Sequence, residues 1–303
     1  MPLIVWTDRA GRFSPLKLAA FLVCIGPMLL LAMMALTGDL GSKPLTYAIH
    51  DTGDWAVRFL LASLLVTPLR SVANWPRLIV IRRMLGVTAL AYVLVHLGLY
   101  VVEQRYDLFK VASEIVLRFY LTIGFVALLG LLALGVTSTD GMIRRLGSAR
   151  WNRLHGLVYG LTVLSLLHFF LQSKVDVTQP VLMTGLFLWL MGYRLIRRRG
   201  FGAGLVTLLL LAIAAGLATA LVEAGWYAAR SGVMASRVLL ANLDFSFSIR
   251  PAWWVLGAGL VMAAVAFFRG MDQRMDRRGT RAAPHEVSPA VASRHLAPTS
   301  VSK

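Results

Sequence analysis

Long apolar runs alternate with short polar segments along this chain, and the length of the runs predicts membrane-spanning helices. A helix needs about 20 mostly apolar residues to cross the ~30 Å hydrocarbon core of a bilayer. Eight runs are of roughly this length, and we call them spans 1 to 8: 16–36, 54–69, 82–102, 116–136, 151–171, 179–196, 203–223 and 252–269. Span 2 is short and carries Arg58, so it needs protein neighbours or a side chain that reaches the interface. The pattern predicts an all-α, polytopic integral membrane helix bundle of about eight transmembrane helices.

The composition agrees with a chain that lies mostly in lipid. Of its 303 residues, 58% are hydrophobic and only 15% are charged, whereas a soluble domain is about 25% charged. The single cysteine, Cys24, excludes an intramolecular disulfide and argues against a thiol-ligated metal cluster. A soluble protein is therefore excluded as the fold class.

The net charge of +17 is concentrated in short clusters of Arg and Lys. The clusters precede span 1, separate spans 2 and 3 and spans 4 and 5, and follow spans 6 and 8. Because positive residues are retained on the cytoplasmic side, this alternation predicts that both termini are cytoplasmic. Clusters of this kind, without one continuous basic face, also argue against binding to nucleic acid.

Three of the six histidines lie within the predicted spans, where a strongly polar side chain is costly and usually has a specific partner. At 1.5 Å rise per residue, His96 on span 3 and His168 on span 5 reach the same depth near the outer end. Two imidazoles facing each other at one depth can be the axial ligands of a haem iron. Nearby Gly98, Gly156 and Gly160 leave room for a flat macrocycle.

His155 lies near the cytoplasmic start of span 5, and Arg82 and Arg83 occupy the matching depth on span 3. It could bind a second haem with a non-histidine or solvent ligand, or contact a quinone or flavin. The alternative for all three residues is a set of buried histidines hydrogen-bonded to carbonyl groups, without a cofactor. His50 is predicted in the first outer loop with a structural or surface role.

An ordered series of motifs carries a family resemblance. The motifs are FLLASLLVTPL at 59–69, RRMLG at 82–86, VHLGLY at 95–100, RFYLTIG at 118–124, TSTDGMIRRLG at 137–147 and WNRLHGLVY at 151–159, followed by His168 with its aromatic neighbours. With them the chain resembles the MsrQ (YedZ) family, haem-binding membrane subunits of periplasmic methionine-sulfoxide reductase systems within the ferric-reductase-like transmembrane group. The resemblance covers roughly residues 16–199. Spans 7 and 8 and the tail exceed the short form of the family.

The resemblance implies that His96, His155 and His168 occupy haem-ligand positions, with one or two b-type haems. It also implies electron transfer from membrane quinone, through haem and with FMN, to a periplasmic molybdopterin-containing subunit that resembles MsrP. That partner would reduce methionine sulfoxide, and this chain would be the electron-carrying subunit in a bacterial inner membrane. Arg82 and Arg83 could pair with a flavin phosphate or a haem propionate, or they could be topological anchors.

The domain organisation expected from these observations has three parts. Residues 1–200 form a six-helix haem-binding domain, residues 201–270 form two additional helices with a periplasmic loop, and residues 271–303 form a disordered cytoplasmic tail. Two alternative functions remain open. One is a stand-alone transmembrane ferric or oxygen reductase supplied by a separate flavin reductase, and the other is a cofactor-free transporter or structural membrane protein.

Overall fold

The computed structural model describes residues 6–7, 11–174, 176–246 and 248–282. Regular structure in these ranges is helical, apart from an isolated bridge between Thr7 and Phe13 and a single 3-10 turn at Pro76–Leu78. The α-helices are α1 Pro15–Thr37, α2 Pro44–Val72, α3 Ile79–Glu103, α4 Leu108–Leu117, α5 Phe119–Val136, α6 Asp140–Leu146, α7 Ser148–His155, α8 Val158–Gln172, α9 Thr178–Arg198, α10 Leu205–Ser231, α11 Ala235–Ala241 and α12 Pro251–Ala282. The predicted all-α bundle is confirmed.

Seven helical segments within the described ranges are long and apolar enough to cross a membrane. They are Pro15–Thr37, Pro44–Val72, Pro76–Glu103, Phe119–Val136, Ser148–Gln172, Leu205–Ser231 and Pro251–Met271. The remaining predicted span, span 6, is α9, which forms a complete helix but is not among these segments. Its ends are polar, and its apolar residues are buried against α2, α10 and α12. This helix is therefore surrounded mainly by other helices and less by lipid.

The bundle has two ends, which we call upper and lower. The upper end contains the start of α2 and the ends of α3, α8 and α10, and the lower end contains the opposite termini of these helices. The start of α2 corrects one prediction, because His50 lies on this helix and not in a loop. Pro44 is at the start of α2, a position that suits proline because the missing N–H would be unpaired there. Counting apolar residues missed these first turns because they are polar.

Two predicted spans are each divided into two helices. Span 4 breaks at Arg118, whose backbone is extended (φ −104°, ψ 104°), and this separates the short helix α4 from α5. Span 5 breaks after His155, where α7 ends and α8 begins at Val158. At the other end of the chain, α12 continues to Ala282, so the first residues of the predicted disordered tail are helical. The rest of that tail, 283–303, lies outside the described residues.

Helix α2 is central and contributes to two hydrophobic cores. One core joins it to α1, α3, α5 and α8, and the other joins it to α9, α10 and α12. In the second core the helices approach closely at glycine, since a Cβ on Gly185 would meet Thr219 and Val255. A Cβ on Gly259 would likewise meet Ala212. The C-terminal helices are thus packed into the bundle and are not a separate appendage.

Helix α10 also supports the upper end of α8. The rings of Phe170 on α8 and Trp226 on α10 are 4.7 Å apart. They belong to a small core in which Val177 and Val181 are almost completely buried. Aromatic pairs at this distance contribute about 0.5–1.5 kcal/mol beyond the burial of their area. The upper turn of α8 is therefore held by the C-terminal helices.

A buried carboxylate anchors the connection between α10 and α12. Glu223 on α10 is 1% exposed and accepts hydrogen bonds from Arg250 (Nη1–Oε1, 3.2 Å) and Asn242 (Nδ2–Oε2, 3.3 Å). The indole N–H of Trp253 then donates to the carbonyl of Asn242 (2.7 Å). A buried charge needs such partners. This network holds the connecting segment against α10 at the upper end.

The hydroxyl of Tyr92 bonds to the backbone of α1 on both sides of Pro27. Pro27 lies inside α1, where its ring distorts the helix. The N–H of Met28 donates to the Tyr92 hydroxyl (3.0 Å), and this hydroxyl donates to the carbonyl of Cys24 (3.0 Å). In a regular helix the N–H of Met28 would bond directly to Cys24. Tyr92, 4% exposed, thus joins α3 to the irregular turn of α1.

We expect Tyr92→Phe to destabilise the protein, because two buried backbone groups would lose their partner. The cost of such unpaired groups is about 1–3 kcal/mol. Thermal unfolding in detergent measures this loss, and Tyr47→Phe is the control because Tyr47 is 43% exposed. Equal unfolding midpoints for the two variants would contradict this role of the Tyr92 hydroxyl.

Candidate functional site

His96 on α3 and His168 on α8 face each other in the upper half of the bundle. Their ring centroids are 6.4 Å apart, and their ring planes are nearly perpendicular at 89°. The predicted juxtaposition of these two residues is therefore present. Neither histidine is adjacent to the other in sequence, and the fold brings them together from two separate helices.

Both imidazoles are oriented by a backbone carbonyl. Nδ1 of His96 donates to the carbonyl of Ile49 on α2 (2.8 Å), and Nδ1 of His168 donates to the carbonyl of Tyr120 on α5 (2.7 Å). A carbonyl oxygen can only accept, so Nδ1 carries a proton, and in the neutral imidazole Nε2 keeps its lone pair. Histidines that bind metals commonly donate from their other ring nitrogen in this way. Both Nε2 atoms are thus in the form that binds a metal.

A glycine lies one helical turn after each of these carbonyls. Gly53 follows Ile49 by one turn on α2, and a Cβ at Gly53 would lie 3.1 Å from Nδ1 of His96. Gly124 follows Tyr120 in the same way on α5, and its Cβ would lie 2.8 Å from Nδ1 of His168. The α2–α3 and α5–α8 pairs therefore repeat one arrangement. We call each carbonyl with its glycine a histidine seat.

The glycines that the sequence suggested do not have this role. An added Cβ on Gly98 or Gly160 would have no neighbour within 4 Å, and one on Gly156 would meet the carbonyl of Arg153 in its own chain segment. Gly53 and Gly124 were not singled out, since spacing along the chain does not indicate which helix packs against each histidine. Knowledge that α2 packs against α3 and that α5 packs against α8 would have identified these two glycines.

His96 and His168 line a cavity of about 370 Å³ that α2, α3, α4, α5 and α8 enclose. This volume is within the range of small-molecule and cofactor sites. The apolar part of the wall consists of residues such as Leu60, Val93, Leu97, Phe125, Leu128 and Leu131. Charged residues from α4 and from the ends of α3 and α8 surround its mouth at the upper end. The cavity is therefore apolar inside and polar at its opening.

The arrangement of the two imidazoles fits a single metal between them. A metal–imidazole bond is about 2 Å long, and the ring centroid lies about 1.1 Å beyond the nitrogen because ring bonds are about 1.3 Å. Two imidazoles that held one metal ion would therefore have centroids about 6 Å apart, close to the observed 6.4 Å. Apolar walls beside such a pair suit a flat porphyrin. The residues present fit a haem with two histidine ligands.

His155 lies at the lower end and does not join the other two histidines. Its Nε2 is 3.2 Å from the hydroxyl of Thr137, and its ring stacks on Trp151 with centroids 3.9 Å apart. The indole N–H of Trp151 donates to the carbonyl of Thr137 (2.8 Å). In the described ranges, no second histidine ring is paired with it. The sequence likewise indicates none at its depth.

Arg82 and Arg83 begin α3 at this same lower end. Arg83 forms an exposed ion pair with Asp140 (Nη2–Oδ1, 2.7 Å). The half-buried Arg82 is repelled electrostatically by Arg194 and Arg70 and attracted by Tyr159. Among these groups, the guanidinium of Arg194 donates to the Tyr159 hydroxyl (3.3 Å). An anionic group would reduce the mutual repulsion of the arginines.

Arg194 also lies at this lower end. The sequence identified it only as one member of the basic cluster that follows span 6. Its guanidinium donates to the carbonyls of Leu64 (2.7 Å) and Leu190 (2.9 Å) and to the Tyr159 hydroxyl (3.3 Å). It therefore connects α2, α8 and α9. A lone arginine in a basic run has no signal that predicts these bonds.

A family model and a set of curated proteins match this chain. The family is described as ferric reductase like transmembrane component, and its model matches residues 52–166. This range contains His96 and His155 and ends just before His168. No solved structure matches the chain.

The matching curated proteins include several named protein-methionine-sulfoxide reductase heme-binding subunit MsrQ. That of Rhodospirillum rubrum is 41% identical over 199 residues, which are 64% of this chain and 93% of the relative. That of Agrobacterium fabrum is 41% identical over 188 residues, 61% of this chain and 86% of the relative. That of Herminiimonas arsenicoxydans is 37% identical over 174 residues, 56% of this chain and 80% of the relative. Each relative is covered over four fifths or more of its length, whereas more than a third of this chain has no counterpart in it.

Proposed function

The chain belongs to the MsrQ family of heme-binding subunits of protein-methionine-sulfoxide reductase, and we propose from this that His96 and His168 are the axial ligands of one b-type haem. The observation that supports the proposal is the pair of imidazoles 6.4 Å apart, each with Nδ1 bound to a carbonyl. The chain is then a membrane subunit that carries electrons, and the sulfoxide is reduced on a partner.

The histidine seats prepare the two ligands before a metal arrives. The hydrogen bonds to Ile49 and Tyr120 select the tautomer and raise the basicity of Nε2. Gly53 and Gly124 allow each ring to lie directly against a neighbouring helix. When bound, haem supplies a site that accepts and releases one electron at a time. The protein contributes orientation, a low dielectric and exclusion of water from the apolar wall.

We further propose the direction of electron flow. Membrane quinone donates electrons, FMN assists their transfer, and a periplasmic molybdopterin-containing subunit of the MsrP type accepts them. The upper end is then periplasmic and both termini are cytoplasmic, in agreement with the distribution of Lys and Arg. The protein is a multi-pass component of the bacterial inner membrane. A haem near the upper end lies close to a periplasmic acceptor.

Arg82 and Arg83 are proposed to bind an anionic cofactor group at the lower end, such as a flavin phosphate or a propionate. Arg82 supports this proposal better, because it is half-buried and is repelled by Arg194 and Arg70, so an anion would be favourable there. Arg83 is already paired with the exposed Asp140, and this pair would open or be shared on binding. Arginine binds phosphate strongly through two parallel hydrogen bonds.

His155 remains a predicted ligand of a second haem. Its ring stacks on Trp151 and its Nε2 contacts the Thr137 hydroxyl. A metal bond to Nε2 would have to replace the contact with Thr137. The pair His96 and His168 needs no such change. We therefore assign the first haem to the upper cavity and keep the lower one as a separate prediction.

The visible spectrum of the detergent-purified protein tests the proposed function. We expect a Soret band, sharp bands after reduction and at least one haem per chain after extraction, with flavin quantified in the same sample. Addition of a reduced quinone should then reduce the haem, and a molybdopterin-containing reductase should reoxidise it only in the presence of methionine sulfoxide. A protein that is still colourless after expression with excess haem would contradict the proposal.

A further inference from the structure

At the mouth of the upper cavity, some charged side chains have a partner and others do not. Three carboxylates line it, and each already has a partner. The pairs are Asp54 with Arg58 (Oδ2–Nη2, 3.6 Å), Glu103 with the Thr46 hydroxyl (2.9 Å) and Glu114 with Arg118. The guanidinium of Arg118 also donates to the Tyr120 hydroxyl (3.2 Å). Asp54 and Glu114 are thus each paired with an arginine, and Glu103 has a neutral hydroxyl as its partner.

Two lysines at the mouth do not have such partners. Lys110 on α4 and Lys174 after α8 both line the cavity. Neither ammonium group has an ion pair or a side-chain hydrogen bond among the described residues. Lys110 lies on α4 and Lys174 follows α8, and both line this cavity. Two positive charges at the entrance of an apolar cavity are thus available for an anionic ligand.

The local backbone does not favour a lysine at either of these two positions. Lys110 is in the first turn of α4, after the N-cap Asp107, where the helix dipole disfavours a positive charge. Lys174 has a backbone φ of +49° just beyond the end of α8, a conformation that usually selects glycine or asparagine. Each side chain therefore occupies a position that is locally unfavourable for it.

We propose that Lys110 and Lys174 bind the two propionate carboxylates of the haem held by His96 and His168. This inference rests on the proposed function, because it requires haem in the upper cavity. Propionates are the charged groups of an otherwise apolar macrocycle, so they lie at the polar mouth while the ring lies between the imidazoles. An ammonium group forms charge-assisted hydrogen bonds with a carboxylate. The lysines then fix how the macrocycle is turned about the axis through its two ligands.

Reconstitution of haem-depleted protein with two forms of the macrocycle tests this inference. Haem b has free propionates, whereas its dimethyl ester has none and keeps the same ring. We expect Lys110→Gln and Lys174→Gln each to weaken binding of haem b roughly two- to fivefold, the range of an exposed ion pair. The same substitutions should leave binding of the dimethyl ester unchanged. The double variant should also lower the midpoint potential, since lost positive charge disfavours the reduced iron.

Two further variants separate this role from effects on folding. Lys174→Gly removes the ammonium group but suits the positive φ, so it should retain or raise thermal stability while weakening haem b binding. Lys43→Gln is the control, because Lys43 is an exposed lysine at the same end that does not line the cavity. Equal loss of haem b and dimethyl ester, or no loss of either, would overturn the inference. Wild-type protein that binds neither form would instead refute the proposed function.

Discussion

Replacing either His96 or His168 with alanine is expected to remove the haem from the purified protein. Each imidazole faces the other across the cavity with a free Nε2, so a haem iron would lose one of its two axial bonds. Loss of an outer-shell partner alone reduces metal affinity about 10–100-fold, and loss of the ligand itself should exceed that. Extracted haem per chain and the reduced-minus-oxidised spectrum measure the effect.

His50→Ala is the matched control, because His50 lines the same cavity but its ring is not paired with that of His96 or His168 among the described residues. It should retain full haem content. Free imidazole added to the His96 or His168 variant should restore part of the haem, since the substitution leaves a space of the right shape. Full haem content with unchanged spectra in both alanine variants would show that the pairing is wrong.

Gly124→Ala is expected to have the second-largest effect, although it changes no ligand. The added Cβ would lie 2.8 Å from Nδ1 and 2.9 Å from Cε1 of His168, closer than atoms can approach. The ring must then move away from α5 and weaken its bond to the Tyr120 carbonyl. Overpacking of this kind costs about 1–3 kcal/mol, so haem affinity should fall roughly tenfold or more. Gly53→Ala should have a smaller effect, because the corresponding distances to His96 are 3.1 and 3.2 Å.

Gly98→Ala and Gly160→Ala are the controls on the two helices that carry the ligands. An added Cβ at either position has no neighbour within 4 Å. Both variants should keep their haem and gain up to about 1 kcal/mol of helix stability, because alanine replaces glycine inside a helix. If Gly98→Ala reduced haem binding as much as Gly124→Ala, the haem would have to lie on another face of α3.

Much of the fold follows from the lengths of the apolar runs, because a bilayer requires about 20 apolar residues per helix. The exceptions occur where protein neighbours replace lipid. Helix α9 was predicted as span 6, but it is flanked by polar residues and is buried by other helices. The first turns of α2 contain His50 and Asp51, which an apolar count assigns to a loop. The break at Arg118 depends on one extended residue within an apolar run.

The candidate site was predictable only in part. The rise per residue of a helix is constant, so the matched depth of His96 and His168 could be calculated from the sequence. The carbonyls of Ile49 and Tyr120 could not be identified, because every residue has a backbone carbonyl and only the packing of helices selects one. The role of Gly124 has the same origin. Which charged side chains at the cavity mouth have partners, and which do not, can likewise be determined only from side-chain positions.

The contact between Phe170 and Trp226 has a consequence for biosynthesis. A ribosome translates α8 before α10, so the helix that carries His168 enters the membrane before its packing partner exists. Until Trp226 has been inserted, Phe170, Val177 and Val181 face lipid or solvent. The upper turn of α8 then lacks its support, and stable capture of haem is expected to follow insertion of α10. Translation therefore sets the order in which the ligand helix and its support are assembled.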